Sequence, residues 1–208
     1  MKKLRKCLPR ILKSKPNVHR GKKNGGASTH YACFGHRKDP LQSGVTGEYS
    51  FNSNVNETEQ AQHLTIIGDL VERIERAAMP IINQLPEYKP FKETQKKVAA
   101  PTMVKGGVAT QFSIGLNYWS GAHYDNDYFF SILSCLTKTH NQHDETIYYF
   151  CWPEYELAMP LRSGEIIIFN PLKLHCCTNC KYQNSYIFSC YVSEKTVITS
   201  GIGTLGIK

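Results

Sequence analysis

The chain carries two hydrophobic textures. In "NETEQAQHLTIIGDLVERIERAAMPIINQL" apolar residues return every three or four positions, and Leu64, Ile67, Leu70, Val71 and Ile74 form one stripe. Asn56 stands three residues before Glu59, the signature of a capping box. The pattern predicts a helix over 57–85, kinked or restarted at Pro80 and ended by Pro86 and Pro90. Its stripe reads as core packing rather than a recognition face.

From about residue 98 the period changes to that of strands. "ATQFSIGLNYW", "YFFSILSCLT", "TIYYFCW", "ELAMPL", "GEIIIFN", "SYIFSCYVS" and "TVITS" are short β-rich runs separated by turn residues. They predict a β core over about 98–199, built as a barrel or a two-sheet sandwich. With the helix packed outside it, the class is α+β. Residues 1–55 are rich in Lys, Gly, Ser and Asn. They are expected to form a flexible arm with one short strand near 45–52, leaving 56–208 as a single domain.

Charge sharpens that division. The net charge is +8, and residues 1–25 hold ten Lys or Arg and no acid. The remainder has fifteen basic and seventeen acidic residues (25 − 10 against 17), close to −2. The positive charge is therefore a property of the arm, which reads as solvated. A nuclear address or a non-specific nucleic-acid contact are its other readings. No apolar run reaches the ~18 residues of a membrane span. The basic start lacks the apolar stretch of a secretory signal. Eight cysteines without signs of export read as reduced thiols in an intracellular protein.

The chemistry concentrates in "LNYWSGAHYDNDYFF". On extended backbone residues i and i+2 point the same way, so His123 and Asp125 aim an imidazole and a carboxylate into one space. His175 follows the apolar run "GEIIIFN". A His-x-Asp and a later His at strand ends make a two-His-one-carboxylate set, which holds one face of an iron ion and leaves other positions open. Asp127 is either a partner that orients a ligating His or a turn residue. In "HCCTNC", Cys176, Cys177 and Cys180 read as reduced thiols, or as a zinc site with His175. His140 and His143 read as surface residues. Trp119, Tyr124, Tyr128 and Phe129 are expected as pocket wall, or as a platform on which a flat base stacks.

"NYWSGAHYD", "LRSGEIIIFNPLKLH" and "SYIFSCYVS" together resemble the iron(II)- and 2-oxoglutarate-dependent dioxygenases. The resemblance covers about 98–199. It implies a double-stranded β-helix, the jelly-roll or cupin-like core, with His123, Asp125 and His175 as iron ligands. It also implies that Tyr118, with Asn117 beside it, contacts the cosubstrate. Such enzymes take O2 and 2-oxoglutarate, release succinate and hydroxylate a C–H bond, while the protein positions cofactor and substrate. One departure stands out. The family's basic anchor for the distal carboxylate falls near Ser185, where no Lys or Arg is present. Lys181 is the favoured substitute and Arg162 the other; Arg would fork onto the carboxylate, Lys would act as a point charge. The substrate is expected to be macromolecular. A nucleic-acid base, as in the Tet and base-J-binding branch, and a protein side chain, as in the prolyl hydroxylases, both remain open, as does the oligomeric state. The other function classes are a non-catalytic β-barrel that binds nucleic acid and a zinc-stabilised interaction protein.

Overall fold

The computed structural model describes residues 2–18, 26–38, 46–97, 102–137, 145–193 and 195–196. The described strands form two antiparallel sheets. The larger has the order β2-β1-β3-β10-β5-β8, from β1 (His30–Lys38), β2 (Thr46–Glu48), β3 (Gln111–Leu116), β5 (Asp127–Thr137), β8 (Ile166–Phe169) and β10 (Ser185–Ser193). The smaller has the order β4-β9-β6-β7, from β4 (Ser120–His123), β6 (Thr146–Trp152), β7 (Leu157–Arg162) and β9 (His175–Cys177). β3, β5, β6, β7, β8 and β10 follow the apolar runs of the sequence, and β2 falls where a short strand is expected, whereas β1 lies in the segment read as a flexible arm and β4 and β9 match none of the runs. "TVITS" lies outside the described residues from 197 onward.

Strand alternation sorts the larger sheet into two faces. Phe112, Ile114, Phe188 and Cys190 point outward and meet Ile67, Val71, Ile74 and Ala78 of α2 (Glu57–Ile82). Leu133, Ile167, Phe169 and Ile187 point inward and pack against Tyr148, Phe150, Leu161 and Cys177 of the smaller sheet. The molecule is thus a two-sheet sandwich with helices on one outer face.

The long helix forms as its pattern predicts. The Asn56 side chain accepts from the Glu59 amide at 2.9 Å. Pro80 lies inside a helix that continues to Ile82. Leu64 is 40% exposed, so the stripe is shifted, and buried His63 takes the position above Ile67 instead. Pro90 does not end a helix but sits in the first turn of α3 (Tyr88–Lys97). Glu75 is buried, and its carboxylate accepts from the amides of Val108 and Ala109 at 3.0 and 2.6 Å. Burial raises its pKa; the two amides act in the opposite direction.

The reading of 1–55 as a flexible arm is corrected by the described part of that segment. Lys2–Lys13 form α1, and Leu8, Ile11 and Leu12 are buried in the main core. Leu4, Cys7, Leu8, Ile11 and Leu12 recur at helical spacing, a stripe masked by the six Lys and Arg of α1 and by Pro9. Arg5 Nε donates to the Thr137 carbonyl at 2.7 Å. The C-terminal end of α1 is closed by Asn52, whose backbone N–H and side chain donate to the carbonyls of Ser14 and Lys13. Lys15 is buried, donates to the Tyr49 carbonyl at 2.5 Å, and lies over the rings of Phe51 and Phe34 at 3.6 and 4.9 Å. Arg5 and Lys15 are therefore structural. Lys6, Arg10 and Lys13 are exposed, and residues 19–25 of the basic run lie outside the described residues. No helix is long and apolar enough to cross a membrane among the described residues.

Candidate metal centre

Register brings the site together. β4 and β9 pair antiparallel with His123 directly opposite His175, and an irregularity between Ser120 and His123 turns the end of β4. The Ser120 hydroxyl accepts from the Cys177 amide at 3.0 Å, which fixes the other end of the pair. Asp125 lies just past β4, and its amide donates to the Pro171 carbonyl at 3.0 Å. That bond ties the loop after β4 to the loop before β9.

Both imidazoles are oriented by backbone. His123 Nδ1 lies 2.8 Å from the Gly121 carbonyl, and His175 Nδ1 lies 2.8 Å from the Lys173 carbonyl. A carbonyl only accepts, so each Nδ1 carries a proton and Nε2 is the ring nitrogen left to bind a metal. His123 Nε2 is 3.7 Å from Asp125 Oδ1, and His175 Nε2 is 3.4 Å from Asp125 Oδ2. Among the described residues this is the one His/Cys/Asp/Glu group whose ligand atoms, one from each residue, all lie within 4.8 Å of one another. Two imidazole nitrogens and a carboxylate converging on one point can hold a cation between them. The donor set is two imidazole nitrogens and one carboxylate on one side, with the other side open to a cavity, which fits iron(II). His175 is held between the rings of Phe150 and Phe169, at 5.5 and 4.9 Å.

The triad faces a cavity of about 80 Å³ between the sheets. Leu133, Phe150, Phe169 and Ile187 form its apolar wall. Tyr31, Ser113, Tyr118, Ser189 and Tyr191 give it hydroxyl groups, and the Tyr31 hydroxyl donates to Ser113 Oγ at 2.7 Å. Of these, the sequence singled out Tyr118 alone. The signal missed was the alternation of "SYIFSCY", which puts Ile187, Ser189 and Tyr191 on one face.

Of the other residues singled out in sequence, Tyr118 and Asp127 line the cavity. Tyr118 packs back over β3 because Gly115 lies beneath it: a Cβ there would stand 2.8 Å from Tyr118 Cβ. Asn117, at φ +50°, makes that turn. Its side chain accepts from the Ser185 amide at 3.2 Å and does not reach the cavity wall. The two basic candidates are corrected. Lys181 pairs with Glu145 at 3.2 Å and Arg162 with Glu165 at 3.1 Å, both at the surface, and neither lines the cavity. No Lys or Arg lines it among the described residues.

The zinc reading is corrected too. Cys177 points into the core, Cys176 points out of the sheet, and Cys180 Sγ lies 3.8 Å from Asn117 Oδ1. Successive residues of a strand cannot aim at one ion. Of the aromatic residues, Trp119 lines the cavity and Tyr124 is exposed, its hydroxyl donating to Glu154 at 3.1 Å. Tyr128 and Phe129 instead pack against Phe91 of α3. His140 and His143 lie outside the described residues.

No protein-family profile matches the sequence, and no curated protein matches it. The structure is similar to that of NgTET1 in complex with 5mC DNA, with a TM-score of 0.53 at 11% identity. That match covers 80% of this chain and 61% of that one, so the chain spans less than two thirds of its length. A 2OG-Fe(II) oxygenase family oxidoreductase from Burkholderia pseudomallei matches at a TM-score of 0.46 and 12% identity, over 92% of this chain and 78% of that one. A Pseudomonas putida prolyl-4-hydroxylase matches at 0.40 and 11%, over 92% and 83%. The two stacked antiparallel sheets and the similarity to NgTET1 show the fold: an α+β protein with a double-stranded β-helix core.

Proposed function

We propose that this protein is an iron(II)- and 2-oxoglutarate-dependent oxygenase that hydroxylates a C–H bond of a macromolecular substrate. The observation that carries the reading is the converging triad of His123, Asp125 and His175, its Nε2 atoms freed for a metal by two backbone carbonyls. Bound iron(II) with 2-oxoglutarate would supply activation of O2. The chain's own part is positioning. Gly121 and Lys173 hold the ligand tautomers through their carbonyls. Phe150, Phe169, Leu133 and Ile187 keep water from the inner side of the site. The hydroxyls of Tyr118, Ser113 and Ser189 are among the groups in the cavity wall able to hydrogen-bond a bound keto acid.

A base in nucleic acid is the favoured substrate. Its support is the neighbour crystallised with 5mC DNA and the presence of Trp119 in the cavity wall, where an extruded base would find a flat partner. A protein side chain is the second reading, without a specific contact in its favour.

The test is anaerobic iron(II) binding, then succinate formation from 2-oxoglutarate with and without a 5mC-containing duplex. Wild type is expected to bind one iron per chain, and His123→Ala and Asp125→Ala to bind none. Stoichiometric iron in either variant overturns the metal assignment. Iron binding without duplex-stimulated succinate overturns the substrate while leaving the centre in place.

A further inference from the structure

We infer that Cys151 and Cys176 form a reversible dithiol–disulfide pair on the outer face of the smaller sheet. β6 and β9 pair with Cys151 opposite Cys176 and Phe150 opposite Cys177. Phe150 and Cys177 point into the core, so by alternation both neighbours point outward on the same side. Each is partly exposed, and Cys151 Sγ lies 3.8 Å from the Tyr149 carbonyl of its own strand.

The type of pair follows from the ladder. The Thr178 amide donates to the Tyr149 carbonyl at 3.0 Å and the Tyr149 amide to the Thr178 hydroxyl at 2.9 Å, which puts Tyr149 and Thr178 in the hydrogen-bonded phase of the ladder. Cys151 and Cys176 lie two residues along both strands and are of the same type. The Cα separation of such a pair is about 5.5 Å, within the range that a disulfide spans. The Cβ separation of such pairs lies at the long end, about 5.5 Å, against the roughly 3.5–4.5 Å of a disulfide. Closure must draw the two strands together, and a bond under that tension is readily reduced. The pair therefore reads as a reversible site rather than a permanent staple.

The other cysteines are differently placed. Cys33, Cys135, Cys177 and Cys190 are buried, and Cys180 faces Asn117. The oxidant we name is a peroxide. One thiol attacks the O–O bond, giving a sulfenic acid and one water. The second thiol then displaces that hydroxyl as a second water, forming the S–S bond. Two thiols lose two electrons and hydrogen peroxide becomes two waters. The bond ties β9, the strand that begins with ligand His175, covalently to β6.

The test treats the full chain with hydrogen peroxide, then counts thiols under denaturing conditions and maps the linked peptides. Wild type is expected to lose two of its eight thiols with a mass decrease of about 2 Da, restored by dithiothreitol. Exchange of the Thr178 amide should slow on oxidation. Cys151→Ser and Cys176→Ser should each lose the linkage and instead yield a sulfenic acid trapped by dimedone on the remaining thiol, with an unchanged circular dichroism spectrum. A linkage through Cys180, a disulfide that persists in Cys151→Ser, or separate modification of the two thiols in wild type overturns the pair.

Discussion

The two sheets are built to opposite standards. In the larger one, β5 and β10 run eleven and nine residues, and both faces are covered. Its outer face lies beneath α1 and α2, and its inner face meets the other sheet. In the smaller one, β4 and β9 have four and three residues, Tyr149 is exposed on the outer face, and Leu157 and Met159 are exposed in β7. Yet both histidines of the triad come from β4 and β9, the shortest strands of the smaller sheet. The difference teaches where each property resides. Length and two-sided burial supply stability, and a short, open pair braced by the rigid sheet supplies convergent side chains.

The largest effects should separate the sheets. Phe112 is fully buried between the larger sheet and the helices, and Phe112→Ala should cost about 3–5 kcal/mol. Ile11→Ala in α1 should cost about 2–5 kcal/mol for the same reason. Tyr149→Ala, on the exposed face of the smaller sheet, should stay within about 0.5 kcal/mol. Urea unfolding measures all three. An Ile11→Ala variant as stable as wild type would return α1 to the status of a loose arm.

The next effect belongs to the smaller sheet alone. A ligand bound only by the folded chain stabilises it by about 2.7 kcal/mol at a hundredfold excess over its dissociation constant. Iron(II), or manganese(II) as an air-stable substitute, should raise the melting temperature of wild type. His123→Ala should abolish that rise, whereas Phe112→Ala should lower the baseline and keep the rise. Loss of the metal response in Phe112→Ala with the fold retained would show that the sheets are not separable in this way.

What was legible in the sequence follows the same line. The longer strands and α2 announced themselves because burial on a regular face imposes a period on the side chains. The triad was legible because His-x-Asp keeps two side chains on one side and His175 follows a conspicuous apolar strand. α1 was missed because its stripe is diluted by lysines whose aliphatic stems tolerate the interface, and because buried Arg5 and Lys15 look like surface charge until their carbonyl partners are known. The cavity hydroxyls were missed because they come from β1, β3 and β10, brought together only by pairing. Lys181 was misplaced because counting along a loop gives reach but not direction.

A smaller, pH-dependent effect sharpens the larger sheet's side of the comparison. Burial lowers the Lys15 pKa from the ordinary 10.5 to about 8, against the opposing pull of Glu48 and Cys33. Between those values the unfolded chain binds more protons than the folded one, so this residue makes stability rise with pH from about 8 to 10.5. Below about 8 both states carry the charge and its contribution is flat. Lys15→Met should remove that rise. A rise of equal size in the variant would assign it to other groups.

The smallest effects are expected from the two cations that the sequence offered as cosubstrate anchors. Lys181–Glu145 and Arg162–Glu165 are exposed pairs, and pairs of that kind contribute about 0.2–1 kcal/mol, less as salt rises. Lys181→Ala and Arg162→Ala should therefore change stability by that little. Because neither side chain lines the cavity, they should also leave 2-oxoglutarate affinity, measured calorimetrically with manganese(II) in the site, within about twofold, under 0.5 kcal/mol. Ser189→Ala should weaken it more, since a hydroxyl in the cavity wall would lose its hydrogen bond to the ligand, about 0.5–1.5 kcal/mol. The inverse ranking, with Lys181→Ala losing tenfold or more and Ser189→Ala unchanged, would require Lys181 to leave Glu145 and turn inward when the ligand binds. The smaller sheet would then be a moving part rather than a fixed one.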